Sequence, residues 1–190
     1  MTEPRTLLAD ADARLQRLVD QLDTTALAAD TPCAGWDVRA MLSHTLQSIE
    51  AFSAAVDGGP GPTEADLFSG ADILGSDPSG VCKRIVARSH DAWGDFSDWD
   101  GELTTVIGPL KASQAIAVIT FSTLIHSWDL ARGIGTDVEF TAAEAELAEA
   151  VGGLVVPMLR PNGLFADEVG VGTEATPTQR VIAYTGRSPL

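Results

Sequence analysis

This sequence of 190 residues holds only two cysteines, Cys33 and Cys82. That is too few for a disulfide framework, and they lack the CxxC spacing of a thiolate metal site. Free thiols in a reducing compartment, packed as small buried residues, are the expectation. Basic residues are scarce: 12 Lys and Arg stand against 27 Asp and Glu, for a formal charge of −15. Phosphate backbones need clustered Lys and Arg, so nucleic acid is not an expected partner. The same charge repels anionic membranes. It also raises the local concentration of cations near a carboxylate-lined cleft, which permits metal binding without arguing for it. No run of about 18 uncharged apolar residues exists, so a transmembrane helix is not expected. The longest apolar run, residues 115–125, is interrupted by Thr120, Ser122 and Thr123. Residues 1–12 are partly acidic and lack a basic-then-apolar leader pattern, so a cytoplasmic location is the expectation.

A hydrophobic share of 45% is enough for a sizeable core. The length fits one domain over residues 1–190. Helical periodicity marks residues 6–27, with Leu7, Leu8, Ala11, Leu15, Leu18, Val19 and Leu22 recurring on one face. Pro32 and Gly35 break it, and Asp37 opens a second helix to about residue 56. Its inner stripe is Val38, Met41, Leu42, Thr45 and Ile49. Residues 63–72 hold at most a short helical turn. Ser76-Asp77-Pro78 opens a third helix, ending near Phe96. Residues 103–107 read as an extended segment turned by Gly108-Pro109. The fourth helix, about residues 112–132, is apolar on most sides and therefore central. Thr141 and Glu144 form a capping box for a fifth, which Pro157 should bend or end. A Gly/Val-rich extended stretch and a short helix over residues 177–185 complete the chain. Long helices with one apolar face each predict a mainly all-α four-helix bundle, with a short β-hairpin and a C-terminal appendage.

Bundles of this kind place metal sites between facing helices, which turns attention to the three histidines: His44, His90 and His126. His44 lies beside the inner stripe of the second helix, and His126 lies in the most apolar helix. A buried imidazole must satisfy its ring nitrogens, by a hydrogen bond in the commoner case or by a metal ion in the rarer one. No HxxxH or HExxH pattern decides between them. His90, beside Asp91, reads as a partly exposed surface residue. Trp36 and Trp128 read as core or rim packing, or as walls of a substrate cavity. Arg39 and Arg132 read as surface charges, with an anionic cofactor as the alternative.

Three blocks carry a resemblance. Thr31-Pro32-Cys33-Ala34-Gly35-Trp36-Asp37-Val38-Arg39 followed by His44 is the first. His126-Ser127-Trp128-Asp129-Leu130-Ala131-Arg132 with Gly135 is the second, and residues 179–189 from Gln179 to Pro189 are the third. In that order they resemble the mycothiol-dependent maleylpyruvate isomerase branch of the DinB-like superfamily, across essentially the whole chain. The resemblance implies a DinB-like bundle and a divalent metal, zinc or nickel, with His44 and His126 as ligands. A third ligand, usually Glu or His, is implied one turn before His126. Ser122 stands there, a degenerate ligand position without charge. Asp129 is within reach of the site but reads as a hydrogen-bond or ion-pair partner on its helix. Mycothiol as cofactor and a small electrophile as co-substrate are further implications, as is a thiol transferase or isomerase activity. The alternative is a non-catalytic helical binding protein that keeps the fold and has lost the metal. A homodimer stays open. Two rings facing apart, or each held by its own protein partner, would leave only the scaffold.

Overall fold

Leu7, Leu8, Ala11, Leu15, Leu18 and Val19 are all buried along the first helix, α1 (Pro4–Val19), as their spacing dictates. The computed structural model describes residues 3–23 and 25–189. Residue 24, inside the expected first helix, lies outside them. That helix ends earlier than its periodicity suggests. The Asp23 carboxylate accepts from the backbone N–H of Thr25 and of Ala26, both at 2.8 Å, and from the Thr25 hydroxyl. Such a local turn competes with helical hydrogen bonds. One 3-10 turn, Ala26–Ala28, follows.

The Asp37 carboxylate caps α2 (Val38–Asp57), accepting from Ala40 N–H at 2.8 Å. The expected inner stripe is wholly buried. The short helix α3 (Glu64–Leu67) is opened by a Thr63/Asp66 capping box. Asp77 caps α4 (Pro78–Gly94), which stops two residues short of Phe96. The hairpin pairs β1 (Glu102–Thr105) with β2 (Gly108–Lys111) antiparallel, Thr105 opposite Gly108. Val106 and Ile107 therefore form the turn, and Gly108-Pro109 belong to the second strand, a correction to the expected layout. The φ of +107° at Gly108 explains why glycine follows so tight a turn.

Helix α5 (Ala112–Gly133) is buried on most of its circumference and runs through the centre. It packs on α1 and α2, which in turn pack on α4, so α1, α2, α4 and α5 form the bundle. Helix α6 (Ala142–Leu159) begins with the expected Thr141/Glu144 box. It runs through Pro157 and two residues beyond before tightening into a 3-10 turn, Arg160–Asn162. Arg14 of α1 reaches Glu144 Oε2 at 2.7 Å, tying α6 to the bundle. The last helix, α7 (Pro177–Tyr184), packs on α6. The fold is mainly helical, with one small hairpin. Among the described residues no helix is long and apolar enough to cross a membrane.

Candidate functional site

His44 comes from the second turn of α2, while Ser122 and His126 come from α5. Their four-residue spacing puts Ser122 and His126 on one face of α5. All three line one cavity of about 310 Å³. The two imidazoles meet edge to face, with ring centroids 5.2 Å apart and planes at 86°. Two helices thus bring both rings into one space, as the sequence requires of a shared site.

Each ring has a protein partner on Nδ1. His44 Nδ1 lies 2.7 Å from the Leu67 carbonyl oxygen, the last residue of α3. A carbonyl can only accept, so Nδ1 carries the proton and Nε2 the lone pair. His126 Nδ1 lies 3.1 Å from Asp129 Oδ2, a carboxylate acceptor, so this Nδ1 also carries a proton. Neither Nε2 has a protein partner among the described residues. The expectation that individually held rings would leave only a scaffold is therefore too strict. An imidazole has two nitrogens, and a hydrogen bond on one fixes the orientation and tautomer that leave the other as a ligand or base.

Burial, then the proximity of His126, lowers the His44 pKa from 6.5 to about 4, against a smaller opposing effect of the Leu67 carbonyl. The folded ring therefore binds a proton less readily than the unfolded one. This stabilising contribution is complete above pH 6.5 and is lost as the pH falls through about 4. Relative to a His44→Gln variant, chelator-treated protein should lose about 3 kcal/mol between pH 6.5 and 4. Urea denaturation across that range reads the difference, and parallel curves would contradict it.

Behind His126 stands a buried ion pair. Asp129 is fully buried, and Arg187 Nε and Nη2 reach its Oδ1 and Oδ2, each at 2.7 Å. Burial alone would raise the Asp129 pKa, but the Arg187 charge and the bond from His126 hold it below the ordinary 3.8. The carboxylate so fixed keeps the proton of His126 on Nδ1. Cys33 joins this group: ligand atoms of Cys33, His126 and Asp129 all lie within 4.8 Å of one another. Spacing alone would allow a metal there. The Asp129 oxygens, however, already serve Arg187, and a cation would sit against a guanidinium. Burial, then the Asp129 carboxylate, pushes the Cys33 thiol up, which keeps it protonated.

Trp36 forms part of the cavity wall, with its ring centroid 4.7 Å from that of His44. Trp128 is buried packing. Arg39 and Arg132 pair with Asp72 and Asp137 at 2.8 and 3.0 Å, away from the cavity. His90 is half-exposed, as expected, but its Nε2 lies 3.5 Å from the fully buried Asp12 of α1, a partner its neighbours in sequence do not reveal. Sequence reasoning also missed the Arg187–Asp129 pair and the Leu67 carbonyl. The signal for the pair was present, because Cys33, Asp129 and Arg187 each fall in a different one of the three blocks.

Residues 8–131 match the family described as Mycothiol maleylpyruvate isomerase N-terminal domain. An uncharacterized protein of Mycobacterium tuberculosis, matched in two strains, is 27% identical over 167 residues, covering 85% of each chain. Among solved structures, that of a mycothiol-dependent maleylpyruvate isomerase superposes with a TM-score of 0.63 at 17% identity. The match covers 87% of this chain and 73% of that one. A histidine-to-alanine variant of such an enzyme gives 0.62 at 19% identity, covering 78% and 68%. At these identities the structural likeness shows a shared fold.

Proposed function

We propose, from the premise that the chain belongs to the mycothiol maleylpyruvate isomerase N-terminal domain family, that it binds a divalent metal, zinc or nickel, through His44 and His126 and acts on a small thiol. The activity is of the thiol transferase or isomerase kind, with mycothiol as the thiol and a small electrophile as its partner, in the cytoplasm, and carried by residues 1–190 as one domain. The observation behind this reading is the pair of unpartnered Nε2 atoms in one cavity, each ring held by a hydrogen bond on its other nitrogen. Those donors fit a borderline-soft divalent ion. A bound ion of that kind supplies one thing, a shift of a thiol toward the nucleophilic thiolate.

The chain's own residues do the rest. Leu67 and Asp129 fix the planes and tautomers of the two rings. Arg187 keeps Asp129 ionised and so keeps His126 oriented. The Ser122 hydroxyl, one turn from His126, offers a neutral hydrogen-bonding group to water or substrate. Trp36, Phe52 and Ile125 wall the cavity with apolar surface that limits water.

Ser122 also favours a second reading, a non-catalytic binding protein of the same fold, because metal sites that do chemistry usually keep three protein ligands. Calorimetric titration of chelated protein with zinc and with nickel separates the two. The first reading expects one ion per chain, with binding lost in His44→Ala and in His126→Ala while the helical circular dichroism is kept. No affinity for either metal in the parent leaves the non-catalytic protein.

A further inference from the structure

We propose that the molecule entering this cavity beside the thiol is uncharged and largely apolar, of about the size of one substituted aromatic ring, and is not a carboxylate. The proposal rests on the reading of this cavity as the reaction site, and it adds the class of electrophile.

Three features of the cavity carry it. The lining is dominated by aromatic and aliphatic side chains, among them Trp36, Phe52, Phe121 and Phe165. Arg187 is the one Lys or Arg lining it among the described residues, and its charge is matched by the buried Asp129 carboxylate, to which two of its three guanidinium nitrogens donate at 2.7 Å. In the metal-free cavity an entering carboxylate would thus give up its hydration and meet only a guanidinium already neutralised by Asp129, which disfavours the charged form. The rim adds an independent sign. Phe68, Ile107 and Leu164 are 45%, 49% and 46% exposed, and all three border the cavity mouth. Large apolar side chains gathered around one opening mark a surface that binds apolar matter. The cavity of about 310 Å³ lies at the small end of ligand pockets, which makes one substituted ring the upper limit for a molecule that shares it with a thiol group. The net charge of −15 further opposes entry of a dianion.

The test is binding of a matched set to chelated full-length protein, where no metal can recruit a carboxylate. Methyl cinnamate, cinnamate and fumarate are titrated by calorimetry, with saturation-transfer NMR to read weak binding. Methyl cinnamate should bind about tenfold tighter than cinnamate or better, a difference of about 1.4 kcal/mol, and fumarate should not saturate. Ser122→Trp, which fills the cavity, should abolish binding of the ester, and Phe68→Asp at the exposed rim should weaken it several-fold. A preference below tenfold, a reversed preference, or ester binding unchanged in both variants overturns the proposal. Because the metal is absent throughout, failure here is distinct from failure of the metal reading, which the zinc and nickel titrations decide alone.

Discussion

Arg187→Met should lower stability by about 3–5 kcal/mol, the largest single effect expected of any side chain in this site. Asp129 has no exposure to solvent, and Arg187 has 8%. Removing the guanidinium leaves a carboxylate in the core with only the His126 N–H beside it. Burial, now unopposed by a neighbouring positive charge, would raise the Asp129 pKa instead of letting the Arg187 charge hold it down. In the parent, the folded pKa lies below the unfolded one. The contribution of this carboxylate is therefore complete above the ordinary value of 3.8 and is lost as the pH falls through the lower, folded pKa. In the variant that contribution is gone at neutral pH. The double variant Arg187→Met, Asp129→Leu should recover much of the loss, because a packed apolar pair needs no compensation. Urea denaturation at pH 7 measures all three proteins. A loss under 1 kcal/mol for the single variant would mean that water reaches the pair. The same substitution should loosen His126, and outer-shell partners of this kind are worth roughly 10–100-fold in metal affinity.

Ser122→Glu should tighten zinc or nickel binding by more than that outer-shell range, because it adds a charged donor one helical turn from His126. The cavity has room for the longer side chain. Ser122→Ala should change affinity little, since a neutral hydroxyl contributes weakly. Calorimetric titration of the three proteins gives the comparison. If Ser122→Glu binds no tighter than the parent, position 122 does not face the metal and the assignment of Ser122 as a degenerate ligand position fails. If Ser122→Ala loses most of the affinity, the hydroxyl is itself a ligand.

The bundle was legible because each long helix carries one uninterrupted stripe, as with Val38, Met41, Leu42, Thr45 and Ile49, all buried. Caps were legible where a side chain acts on its own turn, as at Asp37 and at Thr141 with Glu144. Local competition was harder to read. The first helix ends at Val19, and Asp23 beyond it fixes a local turn by accepting from Thr25 and Ala26, about which periodicity carries no information. Pro157 removes one donor, yet α6 continues to Leu159, and the Arg160 N–H still reaches the Val156 carbonyl beyond it. The site divides in the same way. His44 and His126 stood out because each lies on or beside an apolar helix face, and Ser122 was marked only by the resemblance, which implies a ligand one turn before His126. Arg187 and Asp129 lie 58 positions apart, and Leu67 lies 23 positions from His44. Such pairs exist only once the helices are packed.

The central claim is that His44 and His126 lend their free nitrogens to one metal ion. Anomalous scattering at the zinc edge, from crystals grown with equimolar zinc, tests it most directly. The account predicts a single strong peak about 2.0–2.1 Å from Nε2 of both rings. A peak that lies beside Cys33 and Asp129 instead, or none inside the cavity, would contradict it.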